Sequence, residues 1–242
     1  MRHYLLFITL LFFNHIFSQT FNQDLNTIIE SESKSASNRI YNHRVNMNTG
    51  NYDVTYHKLE FTLDPSVASI SGVVTTHFVA KENMSEVIFD LTDNMIVSQV
   101  LQDSNALTFV QNTDDELVIT LSQNLNQGET GIVEITYSGN PVSSGFGSFA
   151  QTTHNGDPII WTLSEPYGAK GWWPCKQDLN DKIENIDVYI TTPQFNSQNE
   201  EYIAVSNGVE QSQIVNGSNK TTHYKHQFPI PAYLVAIAAT NY

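Results

Sequence analysis

The 242-residue chain is poor in cysteine, and its one cysteine is Cys175. No disulfide can therefore form within the chain, and an exported domain of this kind must be stabilised by core burial or by packing against further protein. Cys175 could be a catalytic thiol or a buried, inert one. Burial is favoured, because free cysteine is among the most buried residue types.

Basic residues are also scarce, with 11 Lys and Arg against 25 Asp and Glu and a formal net charge of −14. A chain this acidic is repelled by phosphate backbones, so the composition predicts no nucleic-acid partner. The same charge favours a cationic partner or the free amine of a peptide.

Motifs that would mark a complete catalytic or metal site are missing. The sequence has no G-x-S-x-G, no Walker A loop, no closely spaced cysteine pair and no His-Glu-x-x-His. His223 and His226 are three residues apart in a segment typical of a strand, which puts them on opposite faces. We therefore predict no catalytic residues and no metal site in this chain.

Long apolar runs are limited to one, over residues 5–17. It follows Arg2 and His3 and ends at the small Ser18, the order typical of a secretory signal peptide. The run is shorter than the roughly 20 residues that a membrane span needs. We predict a signal peptide over 1–18, no membrane span after its cleavage, and a periplasmic, cell-surface or secreted protein; an uncleaved membrane anchor is the alternative.

Strand-like alternation dominates the rest of the chain. Leu59, Phe61 and Leu63 alternate with polar residues, as a half-buried strand requires. Similar short runs occur at 70–80, 87–91, 96–101, 107–110, 117–121, 133–137 and 186–190. Short strands at this spacing predict an all-β fold, a sandwich or a large antiparallel sheet with little helix.

The remaining segments complete the domain plan. We predict a short amphipathic helix within 20–40 and a linker over 42–51, so that residues 19–50 precede a β domain over 51–242. Residues 139–157 resemble a long loop, and the apolar run 233–239 predicts a strand buried on both faces. The sequence stops at Tyr242 directly after that strand, so we expect the domain to be truncated.

Candidate binding chemistry is concentrated in residues 159–181, which contain Trp161, Trp172 and Trp173. Glu165 is followed by Pro166, which ends the strand before it. A carboxylate at a strand end could hold a ligand's ammonium by a charge-assisted hydrogen bond. On the residues alone, the favoured interpretation is a surface glutamate at a turn with the tryptophans in the core, because aromatic residues usually report burial.

Several short segments, in order, resemble the N-terminal domain of the aminopeptidase N family of zinc metallopeptidases. They are Tyr52-Asp53-Val54, Ile70-Ser71-Gly72, Thr162 to Glu165, Trp173-Pro174-Cys175, residues 187–193, Ser206-Asn207-Gly208 and residues 233–242. The resemblance extends from Tyr52 to Tyr242, and it implies a saddle-like antiparallel β-sandwich resting on a thermolysin-like catalytic domain.

The resemblance also implies a function and a role for Glu165. In that family a zinc-bound water attacks the first peptide bond of a peptide with a free N-terminus, and the residue matching Glu165 binds the α-amine. Leu163 departs from the pattern, because relatives often have Gln there. The zinc ligands lie downstream of this domain, so the resemblance implies a missing C-terminal catalytic domain and a fragment that is inactive alone.

Two other functions are compatible with the sequence. One is a stand-alone secreted β-sandwich module that binds peptide or carbohydrate, for which Trp161, Trp172 and Trp173 would be suitable. The other is a structural or adhesion domain without a ligand.

Overall fold

Alternating apolar and polar residues form strands along most of residues 46–142 and 148–242, which the computed structural model describes. The strands are β1 Tyr52–Thr62, β2 Ile70–Ala80, β3 Met84–Asp90, β4 Met95–Gln102, β5 Asn105–Ala106, β6 Phe109–Gln111, β7 Glu116–Leu125, β8 Thr130–Gly139, β9 Ala150–His154, β10 Asp157–Trp161, β11 Asn185–Pro193, β12 Ile203–Ser206, β13 Val209–Asn216, β14 Asn219–His226 and β15 Ile237–Thr240. Helix in this part of the chain is limited to the 3-10 turns Met47–Thr49, Ala169–Gly171 and Ala232–Leu234. The all-β prediction is confirmed.

The strands form three sheets. The largest has eight strands in the order β13-β14-β11-β1-β2-β8-β4-β5, and the smaller ones have the orders β12-β15-β10-β9 and β3-β7-β6. The pairs are antiparallel except β1 with β11, which are parallel. These two strands are far apart in the sequence, so no tight turn fixes their relative direction.

The core lies on the inner face of the eight-stranded sheet. Leu59 and Phe61 of β1 and Val74 and Phe78 of β2 are fully buried, as their alternation with polar residues predicts. Trp172 packs against Phe61 with ring centroids 5.2 Å apart. Large aromatic side chains therefore fill the space between this sheet and the segment that follows β10.

Cys175 lies in the same core and is fully buried. Burial raises the pKa of the Cys175 thiol well above its ordinary value, with a further increase from the nearby Asp90 carboxylate. The prediction of a buried cysteine is confirmed, and a thiol kept protonated in this way is expected to be a poor nucleophile.

Two segments differ from the sequence-based prediction. Residues 139–157, predicted as a loop, contain β9, which pairs with β10 through a turn at Asn155 and Gly156. Both turn residues have positive φ, at 53° and 99°, which is the geometry that Asn-Gly favours in tight hairpins. The strand predicted over 233–239 begins only at Ile237, because Ala232–Leu234 form a 3-10 turn.

The second half of the predicted linker is attached to the β domain. Asn46 donates a hydrogen bond to Asp90 at 3.1 Å, and Asn48 donates one to Glu116 at 2.8 Å. Thr49 between them and β1 is buried. The signal peptide predicted over 1–18 and the helix predicted within 20–40 lie outside the described residues. Among the described ones, no helix has the length and apolar content to cross a membrane.

Candidate functional site

The segment after β10 presents the candidate residue Glu165. Burial alternates along it: Thr162 and Ser164 are buried, whereas Leu163 and Glu165 are exposed. In an extended backbone, residues two apart point the same way, so Leu163 and Glu165 share the outer side of this segment. Leu163 is 45% exposed and supplies an apolar surface beside the carboxylate.

Before Glu165, the segment is held by the four-stranded sheet. The Thr162 backbone amide donates to the Ile237 carbonyl at 3.0 Å, and the Ile237 amide donates to Thr162 Oγ1 at 2.9 Å. Thr162 therefore extends the pairing of β10 with β15 by one residue beyond the strand end.

Hydrogen bonds of Ser164 fix the turn that contains Glu165. Its hydroxyl accepts a hydrogen bond from Trp172 Nε1 at 2.8 Å and donates one to the Ser148 carbonyl at 3.3 Å. Its carbonyl accepts a bond from the Gly168 amide at 2.8 Å, which closes the turn. A Cβ on Gly168 would collide with the Ser148 side chain, so the close approach requires glycine.

The Glu165 side chain itself is exposed, and within the described residues it forms no hydrogen bond or ion pair. The Glu165–Pro166 peptide bond is cis. The structure thus presents a free carboxylate on a backbone that is fixed on both sides. A carboxylate in this setting can accept charge-assisted hydrogen bonds from an ammonium group without first breaking an internal contact.

His223 and His226, which are three residues apart in the sequence, do not form a common site. His223 and His226 point to opposite faces of β14, and His223 Nε2 lies 2.7 Å from Asp187 Oδ1. Burial works to raise the pKa of Asp187, but bonds from His223, Lys225 and Tyr56 outweigh it and hold that pKa below its ordinary value. In the described ranges, no group of three or more His, Cys, Asp or Glu is placed to hold a metal ion.

The tryptophans cannot form a ligand platform. Trp172 and Trp173 are fully buried, with ring centroids 6.0 Å apart, and only Trp161 is partly exposed. The interpretation that places Trp172 and Trp173 in the core is therefore confirmed, and the alternative of a tryptophan binding surface is wrong for these two residues. The sequence already indicated this outcome, because segments rich in apolar and aromatic residues are usually buried.

Sequence reasoning missed the hydrogen bond between Trp172 and Ser164. These residues are eight apart, and their contact depends on a turn whose path the sequence does not specify. The alternation of polar and apolar residues at 162–165 could have predicted which of these side chains point inward.

The fold of this chain is similar to that of known proteins. Residues 50–234 match the family model described as the Peptidase M1 N-terminal domain. The solved M1 zinc metallopeptidase from Deinococcus radiodurans is 26% identical to this chain, with a TM-score of 0.69 over 78% of this chain and 42% of that one. A variant of that enzyme was solved with a Tyr-Ser-Ala substrate and matches to the same extent.

Two other proteins are also similar to this chain. Leukotriene A4 hydrolase from Saccharomyces cerevisiae, at 20% identity, shares the fold, with a TM-score of 0.61 over 79% of this chain and 29% of that one. Leucine aminopeptidase 2 of Vanderwaltozyma polyspora is 32% identical over 91 residues, which is 37% of this chain and 12% of that protein.

The chain thus spans less than half the length of the relatives that it matches. The family model, in contrast, covers nearly all of the described β structure, from two residues before β1 to the 3-10 turn before β15. The chain belongs to the Peptidase M1 N-terminal domain family.

Proposed function

We propose that this chain is the substrate-anchoring domain of an exported zinc aminopeptidase and that Glu165 binds the α-amine of peptide substrates. The observation that carries the proposal is the free Glu165 carboxylate on a segment fixed by Thr162 and Ser164. The M1 metallopeptidase solved with Tyr-Ser-Ala supports a peptide substrate.

A fixed carboxylate explains why an enzyme of this kind would remove one residue at a time. The ammonium of a free N-terminus forms charge-assisted hydrogen bonds to the carboxylate, and an N-acylated peptide cannot. Because the backbone around Glu165 is held on both sides, the bound amine would have a defined distance to the reacting bond. The negative net charge of the chain, −14, further favours a cationic ligand group.

The described residues do not fit a zinc ion, since none of their acidic, histidine or cysteine side chains form a ligand group. We therefore assign zinc and the activation of water to a C-terminal catalytic domain of the full-length protein. In a zinc peptidase the bound metal activates the attacking water, so the 242-residue chain alone is expected to be inactive.

Replacing Glu165 in the full-length protein tests the anchoring role. For Glu165→Gln and Glu165→Ala we expect the KM for aminoacyl substrates to rise about tenfold or more, the change expected when a charged hydrogen bond is lost. Bound zinc, measured by metal analysis, should not change. Glu86→Gln, which alters an exposed carboxylate on β3, is the matched control. An unchanged KM in both Glu165 variants would exclude the assignment.

Export is the second part of the proposal. We expect cleavage after Ser18, so that the mature protein begins at Gln19. Intact mass and N-terminal sequencing of protein recovered from the producing cells measure this directly. A chain that keeps Met1 and sediments with membranes would instead indicate an uncleaved anchor.

A further inference from the structure

The dipeptide Asn-Gly occurs three times in the sequence, at Asn155-Gly156, Asn207-Gly208 and Asn216-Gly217. Asparagine is chemically least stable in this dipeptide, because glycine has no side chain to keep its backbone nitrogen away from the asparagine amide. The three glycines all have positive φ, at 99°, 96° and 61°, and lie in turns between strands. The local sequence is therefore equally reactive at the three positions, and only the surrounding structure can distinguish them.

The reaction available to such a pair is loss of the asparagine side-chain amide. The glycine nitrogen gives up its proton and attacks Cγ of asparagine, which forms a new C–N bond and a cyclic succinimide. The bond from Cγ to Nδ2 breaks, and Nδ2 leaves as ammonia with a proton. Water then opens the ring and leaves aspartate or isoaspartate, with no change of oxidation state. The asparagine side chain must be free to turn toward the glycine nitrogen.

Two hydrogen bonds fix the side chain of Asn207. Its Nδ2 donates to the Leu234 carbonyl at 2.9 Å, and its Oδ1 accepts from the Ala236 amide at 2.7 Å. A Cβ placed on Gly208 would lie 2.4 Å from the Lys225 carbonyl oxygen, so the backbone is closely packed here as well. Both polar ends of the Asn207 side chain are thus occupied, and the turn around it has little room to rearrange.

Asn216 and Asn155 lie in open hairpin turns. Asn216 is exposed at the end of β13, and its side chain forms no hydrogen bond with any described residue. Asn155 is exposed between β9 and β10, where its Nδ2 lies 3.1 Å from Nε2 of the exposed His154. Apart from chain neighbours, no atom lies within 4 Å of a Cβ built on Gly156 or Gly217. Neither asparagine has to break a buried contact in order to rotate.

We infer that Asn155 and Asn216 are sites of spontaneous deamidation in the folded protein and that the fold protects Asn207. Asn207 must first lose two hydrogen bonds, which we expect to slow its reaction about tenfold or more. Each conversion adds a negative charge to a chain whose net charge is already −14, so modified molecules separate from unmodified ones by charge. The reaction consumes only water and is independent of Glu165 and of the proposed peptidase function.

Peptide mapping by mass spectrometry, after incubation of the purified chain in mildly alkaline buffer, tests this order. We expect aspartate and isoaspartate to accumulate at Asn155 and Asn216 at least about tenfold faster than at Asn207. The same incubation in concentrated urea removes the fold, and there the three rates should agree within about threefold. A folded-state rate at Asn155 or Asn216 as low as that at Asn207 would overturn the proposal. So would a rate at Asn207 that urea does not raise.

Variants without the reactive amides identify the source of the acidic forms. The double change Asn155→Gly with Asn216→Gln should abolish most of the acidic species seen by isoelectric focusing. Glycine suits the positive φ of Asn155, and glutamine closes the corresponding larger ring much more slowly. Asn219→Gln, in the same hairpin but followed by Lys220, is the matched control and should leave these species unchanged. Acidic species that persist in the double variant would contradict the assignment.

Discussion

His57 shows at the scale of a single residue how burial makes this domain sensitive to acid. It lies on β1 at 1% exposure, with Nδ1 at 3.0 Å from Thr76 Oγ1 and its ring edge-on to Trp173. Burial lowers the pKa of His57 to about 3, against a weaker opposing effect of a hydrogen bond to the Thr75 backbone. The folded protein therefore holds this imidazole in its neutral form at ordinary pH.

This lowered pKa gives a prediction with a defined sign. Below about pH 6.5 His57 becomes protonated in the unfolded chain but stays neutral in the folded one. The contribution of His57 to the free energy of unfolding therefore falls by about 1.4 kcal/mol per pH unit toward pH 3. We expect His57→Gln to lose less free energy of unfolding than the wild type between pH 7 and pH 4, as measured by urea denaturation.

The difference between His57→Gln and the wild type cancels the contributions that other titratable groups make to the pH dependence of stability. Asp187, whose pKa is lowered, and Asp90, whose pKa is raised by burial, affect both in the same way. His154→Gln, at an exposed position, should behave like the wild type. Parallel curves for His57→Gln and the wild type would show that His57 is not held neutral in the fold.

At the scale of an element, the segment from Thr162 to Trp172 links the core to the candidate site. Its buried hydroxyls bond to β15 and to the Trp172 indole, and the Trp172 carbonyl accepts a bond from the Tyr137 hydroxyl at 3.0 Å. Glu165 is exposed between these contacts. The position of the carboxylate is thus set by residues that do not touch the substrate in the proposed function.

Ser164→Ala tests this positioning. Loss of the hydroxyl leaves the buried Trp172 N–H without its partner, which we expect to cost about 1–3 kcal/mol in the free energy of unfolding. In the full-length protein the KM for aminoacyl substrates should also rise, with zinc content unchanged. Ser197→Ala, in an exposed loop, is the control. A stability loss with an unchanged KM would show that Ser164 supports the fold but not the position of Glu165.

At the scale of the whole molecule, the proposed function assigns the zinc chemistry to a part of the protein outside this domain. The described residues include no group of ligands for a metal ion, although the family matched is that of zinc peptidases. We expect the purified 242-residue chain to contain far less than one zinc ion per chain by metal analysis, and the full-length protein to contain about one. A tight one-to-one zinc site in the chain alone would contradict this assignment.

The sequence by itself determined the all-β class, the position of most strands and the burial of Cys175. It did so because these features depend on local patterns: side chains in a strand alternate between two faces, so the residues at Leu59, Phe61 and Val74 show which face meets the core. It also indicated Glu165, through a resemblance carried by short segments in order. The strand β9 was predictable as well from its Asn155-Gly156 turn.

Tertiary structure alone decided how distant segments meet. The parallel pairing of β1 with β11, the contact of Trp172 with Phe61, and the bond that holds Ser164 all join residues whose contacts no local pattern encodes. The alignment of Thr221, Thr191, Thr62, Ser71 and Ser138 across five strands of the eight-stranded sheet is of the same kind. Each strand carries an ordinary Ser or Thr, and only the register between strands brings five of them to one level, because backbone pairing fixes which residues lie side by side.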